Sequence, residues 1–328
     1  MIRQKVKKVR KSIKKTYRKY FTYEDSQHTL LSDKAYLKQL FKAKMGYELD
    51  LKNPKTFNEK LQWLKLYDRR PEYTTMVDKY AAKKYVADII GEEHIIPTIA
   101  VYDSPDDIDF DVLPDQFVLK CTHSSGIGNC ICTDKSKLDF EKVKEGLRKG
   151  LEDDYYLDER EWPYKNVPRK IICEKYMVDE SGYELKDYKF FCFDGEPMAL
   201  QLISDRPDLT VDYYDCSFNH LPITKYHHYP NSKKEYKKPI SFERMIEIAK
   251  TLSKNIPFVR IDLYDIFGDV YFGEFTFFPG GGIQRFEPEE WDRKLGDLIK
   301  LPKKKLIGEK NENRALKNIQ SQCDITGI

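Results

Sequence analysis

Two apolar runs late in the chain, FVRIDLY (258–264) and YFGEFTFF (271–278), carry charged residues at alternate positions. Strand periodicity sends Val259, Ile261 and Leu263 to one face and Arg260, Asp262 and Tyr264 to the other, and it puts Glu274 and Thr276 on a shared face of the second run. A carboxylate or guanidinium is costly to bury without a partner. Two adjacent strands could therefore bring Asp262, Glu274 and Thr276 oxygens to one point with Arg260 beside them, a set suited to Mg²⁺ held together with nucleotide phosphates. A half-exposed sheet with a charged solvent face would satisfy the same pattern.

The rest of the chain supplies context. Its 328 residues suit about two domains at ~150 residues each. Ser32 to Tyr67 is helical in pattern, with Asn53-Pro54 as a cap and first-turn signal before TFNEKLQWLKLY. Trp63 falls on the apolar face and reads as core. Another helix is expected over Met76 to Ile90, closed by Gly91, and HIIPTIAVYDSPDDIDFDVLP reads as a short strand, a turn and an acidic connector. Phe117 to Cys121 is a strand that delivers Lys120 to a loop of small residues (Ser124, Ser125, Gly126, Gly128). Backbone N–H groups of such a loop can close over phosphates, although a plain turn explains it equally and the Walker spacing is absent. Ile131 begins a return strand, and a helix spans Phe140 to Leu151. The acidic stretch LEDDYYLDEREWPY reads as a solvated insertion in preference to a substrate-facing loop. Strands follow at Lys170 to Met177, Asp187 to Phe193 and Pro197 to Ser204, the last two around the hairpin signal Asp194-Gly195. Ser241 to Ser253 is helical, and the chain from Lys303 is polar and basic.

Charge is distributed unevenly. Ten of the 57 basic residues fall in Met1 to Tyr20, which has no acid, so the remaining 308 residues hold 47 basic against 54 acidic and carry −7. That excludes a chain basic throughout, and no nucleic-acid partner is expected. Ile2, Val6, Val9, Ile13, Tyr17 and Tyr20 share one helical face, the pattern of a basic amphipathic helix in peripheral contact with an anionic membrane. A solvated charged tail is the alternative. No run approaches the ~20 apolar residues of a spanning helix and no apolar stretch follows the basic start. A cytoplasmic protein is expected, peripheral on the inner face of the cell membrane where the basic helix engages lipid. The seven cysteines form no C-x-x-C pair and read as reduced, buried thiols. His227-His228 lack a partner at metal spacing and read as surface residues.

Taken in order, NPKTFNEKLQWLKLYDRRPEYTTMVDKYAAKKYV, FVLKCTHSSG, IICEKYM, ELKDYKFFCFDG, VRIDLY and YFGEFTFFPGGGI resemble the ATP-grasp superfamily, and more closely its TupA-like branch of teichuronopeptide-biosynthesis proteins, over roughly Leu51 to Pro302. The fold implied is α+β: an α/β N-terminal subdomain (23–114), a small lid (115–175) and a C-terminal antiparallel sheet with helices (176–305), flanked by the basic tail (1–22) and a polar tail (306–328). The resemblance implies ATP and Mg²⁺ as cofactors. Lys120 is similar to the lid-strand lysine that touches ATP, and His123, Ser124, Ser125 and Gly126 to the loop that closes over its phosphates. Glu174, Lys175, Tyr176 and Met177 resemble the hinge strand that reads adenine, with backbone groups of Lys175 and Met177 or their neighbours hydrogen bonding. Glu184, which opens ELKDYKFFCFDG, joins the nucleotide contacts. Asp187 and Lys189 resemble the Asp-x-Arg element of ribosomal-protein glutamate ligases, which implies ribose contact for one and phosphate contact for the other, and Arg206 stands where that relative has an arginine. Asp262 and Glu274 resemble the Mg²⁺ carboxylates, and Arg260 the cation that stabilises the charged transition state. Thr276 departs from the superfamily's usual Asn but still offers a hydroxyl.

The activity implied is ligation of a carboxylate to an amine through an acylphosphate, modifying a capsular or exopolysaccharide sugar or its small-molecule or lipid-linked precursor. Arg260, Lys189 and Arg206 take the catalytic part. A phosphotransferase on the same fold is a rival. Glycosyl transfer is another, without a D-x-D motif in a sugar-nucleotide setting, and an anionic-polymer or nucleic-acid binder driven by the tail is a third.

Overall fold

The computed structural model describes residues 31–225 and 229–303. The basic stretch at 1–22, His227-His228, Cys323 and the 306–328 tail lie outside the described residues. None of the described helices is long and apolar enough to cross a membrane, and the six described cysteines are unbridged.

Four helices come first: α1 (Asp33–Met45), α2 (Phe57–Tyr67), α3 (Glu72–Val77) and α4 (Ala81–Ile90). Thr56, not Asn53-Pro54, starts α2. Its hydroxyl accepts the Glu59 N–H at 3.2 Å while the Glu59 carboxylate accepts the Thr56 N–H at 3.1 Å, a reciprocal cap that satisfies two orphan donors. The single helix expected over 76–90 is two. The Asp78 carboxylate accepts the N–H groups of Tyr80 and Ala81 at 2.9 and 3.3 Å, which opens α4 afresh. Lys79 falls in the break, and its N–H donates to Thr122 O at 3.2 Å.

A four-stranded antiparallel sheet follows, with β1 (Thr98–Tyr102), β2 (Phe117–Cys121), β3 (Cys130–Cys132) and β4 (Ile171–Lys175) in the order β1-β4-β2-β3. Helix α5 (Phe140–Glu152) brings Leu147 onto the face that carries Phe117, Leu119, Cys121, Ile171 and Cys173. Alternation leaves Val118, Lys120 and Glu174 on the opposite face. The lid boundary expected at 114/115 cuts this sheet, because β1 pairs with β4 along Thr98↔Glu174 to Tyr102↔Ile171.

Between α5 and β4 the chain leaves the lid through α6 (Tyr155–Glu159) and a 3₁₀ turn at Trp162–Asn166. This acidic stretch is not a solvated insertion. Tyr156 donates to Asp33 Oδ1 at 2.6 Å and Tyr36 to Asp158 O at 2.7 Å. Trp162 stacks on Tyr73, which stacks on Phe277 with centroids 4.0 Å apart. Its Tyr156 hydroxyl and its Asp158 and Glu159 carbonyls meet side chains of α1 and α2, so the segment is a strap laid across the body.

The body's main sheet takes β5 (Asp187–Phe193), β6 (Glu196–Ser204), β7 (Thr210–Tyr214), β8 (His220–Leu221), β10 (Phe258–Ile266) and β11 (Asp269–Thr276) in the order β11-β10-β5-β6-β7-β8. A small ladder pairs β9 (Thr224–Lys225) with β12 (Phe286–Glu287). Helix α7 (Phe242–Leu252) contributes Phe242 to the core near Phe190. From α2, Phe57 packs against Phe191, Phe193 and Phe258 with centroids 6.0, 6.3 and 4.9 Å away. Helix α8 (Glu290–Leu298) is pinned beside it, since Asn58 N and Nδ2 both donate to Asp292 Oδ1.

Candidate functional site

Strand register assembles the site. Glu274 on β11 lies opposite Asp262 on β10, Asp262 opposite Lys189 on β5, Lys189 opposite Gln201 on β6 and Gln201 opposite Tyr213 on β7. One polar row thus crosses five strands. Arg260 and Thr276 form the next rung beside it. Gln201 donates to the Tyr213 hydroxyl at 2.7 Å. Neither residue was anticipated, although a polar residue between Leu200 and Leu202 was the available signal.

Arg260 binds Asp262 through two bonds, Nε to Oδ1 at 2.6 Å and Nη2 to Oδ2 at 2.7 Å, and Nη2 reaches Thr276 Oγ1 at 2.9 Å and Glu274 Oε1 at 3.5 Å. Lys189 donates to Asp262 Oδ2 and, at 3.2 Å, to Asp187 Oδ1. Arg206 closes the chain on Asp187 Oδ2 at 2.5 Å, while its N–H donates to Glu184 Oε2 at 3.0 Å. The two carboxylates differ sharply in access: the Asp262 side chain is 1% exposed and that of Glu274 41%. Burial pushes Asp262 up against the pull of Arg260 and Lys189, so its charge depends on both cations. For Glu274, burial is outweighed by Lys79, Lys189 and Arg260, which hold it low.

Across the cleft, the lid presents a second charged group. Glu174 accepts from Lys120 at 2.8 Å and from Lys83 of α4 at 2.5 Å. Burial alone would raise its carboxyl, but the two lysines hold it at about 2. Lys79 stands 3.8 Å from Glu274 Oε2. Lys79 and Lys83 were not anticipated, because four residues apart on a continuous helix they share one face and read as a solvated basic pair.

The remaining expected contacts divide. Ser125 and Gly126 are exposed at the tip of the small-residue loop, but His123 and Ser124 are buried. His123 Nε2 lies 3.1 Å from Asp153 O at the end of α5 and so holds the loop to the lid, while Ser124 donates to Ile127 O at 3.3 Å within the loop. Gly128 has φ +75°, and a Cβ there would lie 2.4 Å from Gly146 O. In the hinge, the Lys175 N–H is taken by Pro97 O at 3.0 Å, which removes it as a donor to a base. Tyr176 and Met177 are half-buried beyond it.

Two carboxylates and a hydroxyl in register fit the donor chemistry of Mg²⁺, which commonly takes one or two carboxylates together with substrate phosphates. Among the described residues there is no cluster of three or more His, Cys, Asp or Glu side chains that would cage a metal by itself.

The sequence model of a family described as TupA-like ATPgrasp matches residues 59–300. Similar solved structures include a D-alanine-D-alanine ligase from Helicobacter pylori, 13% identical with TM-score 0.42, the match covering 74% of this chain and 69% of that one. A D-alanine-D-alanine ligase from Bacillus anthracis complexed with ATP is 17% identical with TM-score 0.39, covering 69% and 63%. The ATP-grasp ligase PsnB complexed with minimal precursor, Mg and ADP is 9% identical with TM-score 0.34, covering 67% and 57%. The chain thus spans less than two thirds of the length of the last two. No curated protein matches it.

Proposed function

This chain belongs to the TupA-like ATP-grasp family and has its α+β fold, and on that premise we propose that it is an ATP- and Mg²⁺-dependent ligase. It activates a carboxylate as an acylphosphate and joins it to an amine, and one of the two partners is a sugar of a surface polysaccharide or its lipid-linked precursor. The observation that carries this reading is the register-aligned set Glu274, Asp262 and Lys189, with Arg260 bound to both carboxylates, facing the lid's Lys120.

Free carboxylates are poor electrophiles at neutral pH, and phosphoryl transfer converts one into an acylphosphate with a good leaving group. The transferring group spreads negative charge over its oxygens, so fixed cations lower the barrier. Lys120 and Lys79 approach from the lid and the helix break, Lys189 and Arg260 from the sheet. Asp262 and Glu274 would hold Mg²⁺, which when bound neutralises phosphate charge and polarises the transferred group. Walls on both sides of the cleft limit access of water to the acylphosphate. No nucleophilic Ser or Cys is required.

Product analysis with ATP·Mg²⁺ tests the reading. ADP release that requires both a carboxylate and an amine, with an amide as product, is the expected result. ADP release with a phosphorylated sugar and no amine overturns it in favour of phosphotransfer, and preference for a nucleotide-sugar over ATP does so in favour of glycosyl transfer.

A further inference from the structure

The hairpin turn between β10 and β11 places a large apolar residue where the backbone favours a small polar one. Ile266 pairs with Asp269, so Phe267 and Gly268 alone make the turn, and both have positive φ, +56° and +96°. A two-residue loop of this kind matches the twist of its strands and selects Asn or Asp before the glycine. A bulky aromatic residue is an outlier in left-handed backbone, and here the ring stays in solvent, with Phe267 76% exposed. Strain held at an exposed side chain, with no core packing to offset it, points to a task for that side chain.

A second apolar residue stands against it. Ile240, two residues before α7, is 93% exposed, and its Cγ2 lies 3.3 Å from where a Cβ on Gly268 would be. One buried carboxylate sets the pair side by side: Asp265 accepts the Gly268 N–H on Oδ1 at 2.8 Å and the Ser241 hydroxyl on Oδ2. Each apolar residue thus immediately precedes a group that Asp265 fixes. The segment leading to Ile240 reads KKEYKKP (233–239), four lysines to one acid. Lys233, Lys234, Lys237 and Lys238 are all exposed. Lys234 pairs with Asp205 and Lys238 with Glu243.

We propose that this tip docks the protein on an anionic membrane, with Phe267 and Ile240 inserted among the headgroups and the 233–238 lysines against the lipid phosphates. Apolar insertion and attraction to anionic lipid add. Two arguments favour a bilayer over a protein partner. A stable protein interface buries about 800 Å² on each side, far more than two protruding side chains offer. Interface cores are also depleted in lysine, which here flanks the pair. The surface is separate from the basic stretch at 1–22 and does not depend on the ligase reading. Strand β10 runs from the tip to the polar row, and at ~3.3 Å per residue Asp262 stands about 17 Å from Phe267. Docking by the tip therefore keeps that row close to the headgroups.

Flotation of the full chain with mixed phosphatidylglycerol and phosphatidylcholine vesicles, against phosphatidylcholine alone, tests the surface. Wild type should bind the mixed vesicles more tightly and release them as salt rises. Phe267→Asn combined with Ile240→Ser should weaken that binding about tenfold or more. The double variant should melt no lower than wild type, since asparagine tolerates left-handed backbone and Ile240 is open to solvent. Lys237→Gln should cost about fivefold in binding, the effect of one lysine near the surface. Every arm carries the 1–22 stretch, so differences between arms read the tip. Phe267→Trp locates the insertion: its added emission should shift to the blue on mixed vesicles and be quenched by brominated lipid. Equal binding of wild type and the double variant, or added emission that brominated lipid leaves unquenched, overturns the proposal. So does loss of self-association by the double variant in lipid-free solution with vesicle binding unchanged, which would make the tip a contact for a second copy of the chain.

Discussion

Asp262 and Glu274 face each other across two strands, yet they hold different positions in the energy of the fold. Asp262 is enclosed by Arg260 and Lys189, and removing one member of a buried ion group leaves the others uncompensated, at a cost of about 3–5 kcal/mol. Glu274 is partly open and shares its cations. Asp262→Ala should therefore abolish turnover and also lower unfolding free energy by that amount. Glu274→Ala should abolish turnover with a stability loss below about 1 kcal/mol, and denaturant melts of the two variants distinguish these outcomes. The residues of this pair were legible in the sequence because a charge inside an alternating apolar run needs an explanation. Lys79 was not legible, since its exit from a helix depends on a cap that Asp78 provides only once Tyr80 and Ala81 have turned.

At the level of elements, strands β10 and β11 slip by one residue between Asp262 and Leu263, and Gly273 is the residue left without a partner. A Cβ there would meet Asp262 O and Tyr264 Cε2, each at 3.0 Å. The bulge turns Glu274 onto the face of Asp262, so Gly273→Val should disturb both packing and the carboxylate pair. The expected result is a loss of about 1–3 kcal/mol with turnover reduced at least tenfold; normal turnover would show that the bulge does not aim Glu274. Long helices and paired strands were readable from periodicity. Short strands such as β8, β9 and β12 were not, because two residues carry no period. The strap differs from its sequence reading for another reason: the contacts that bury it, Tyr156 to Asp33 and Lys65 to the Glu159 carbonyl, span 123 and 94 residues of sequence.

Across the whole molecule, the Lys83–Glu174–Lys120 group joins α4 of the N-terminal helices to the lid. Glu174 is held at about 2 against an ordinary 4.5, so its charged form stabilises the fold above pH 4.5. That contribution, on the order of 3 kcal/mol, is lost as pH falls from about 4.5 to about 2. Thermal melts should show Glu174→Gln less stable than wild type at pH 7, with the gap closing over this interval; a gap independent of pH would exclude the ion group as its source. The strap carries a mechanical consequence for the same assembly. The chain enters the lid at Pro97, leaves after Glu152, returns near Lys170 and leaves again after Lys175, and these crossings sit in pairs at opposite ends of β4, one tied by Lys175 N to Pro97 O and the other by Arg169 Nη1 to Leu151 O and Glu152 O. A flap hung on one edge has a swing; a panel fixed along two opposite edges has none. Closure over the cleft then falls to small movements of exposed segments such as the Ser125–Gly126 tip, which makes that tip a latch set in a wall.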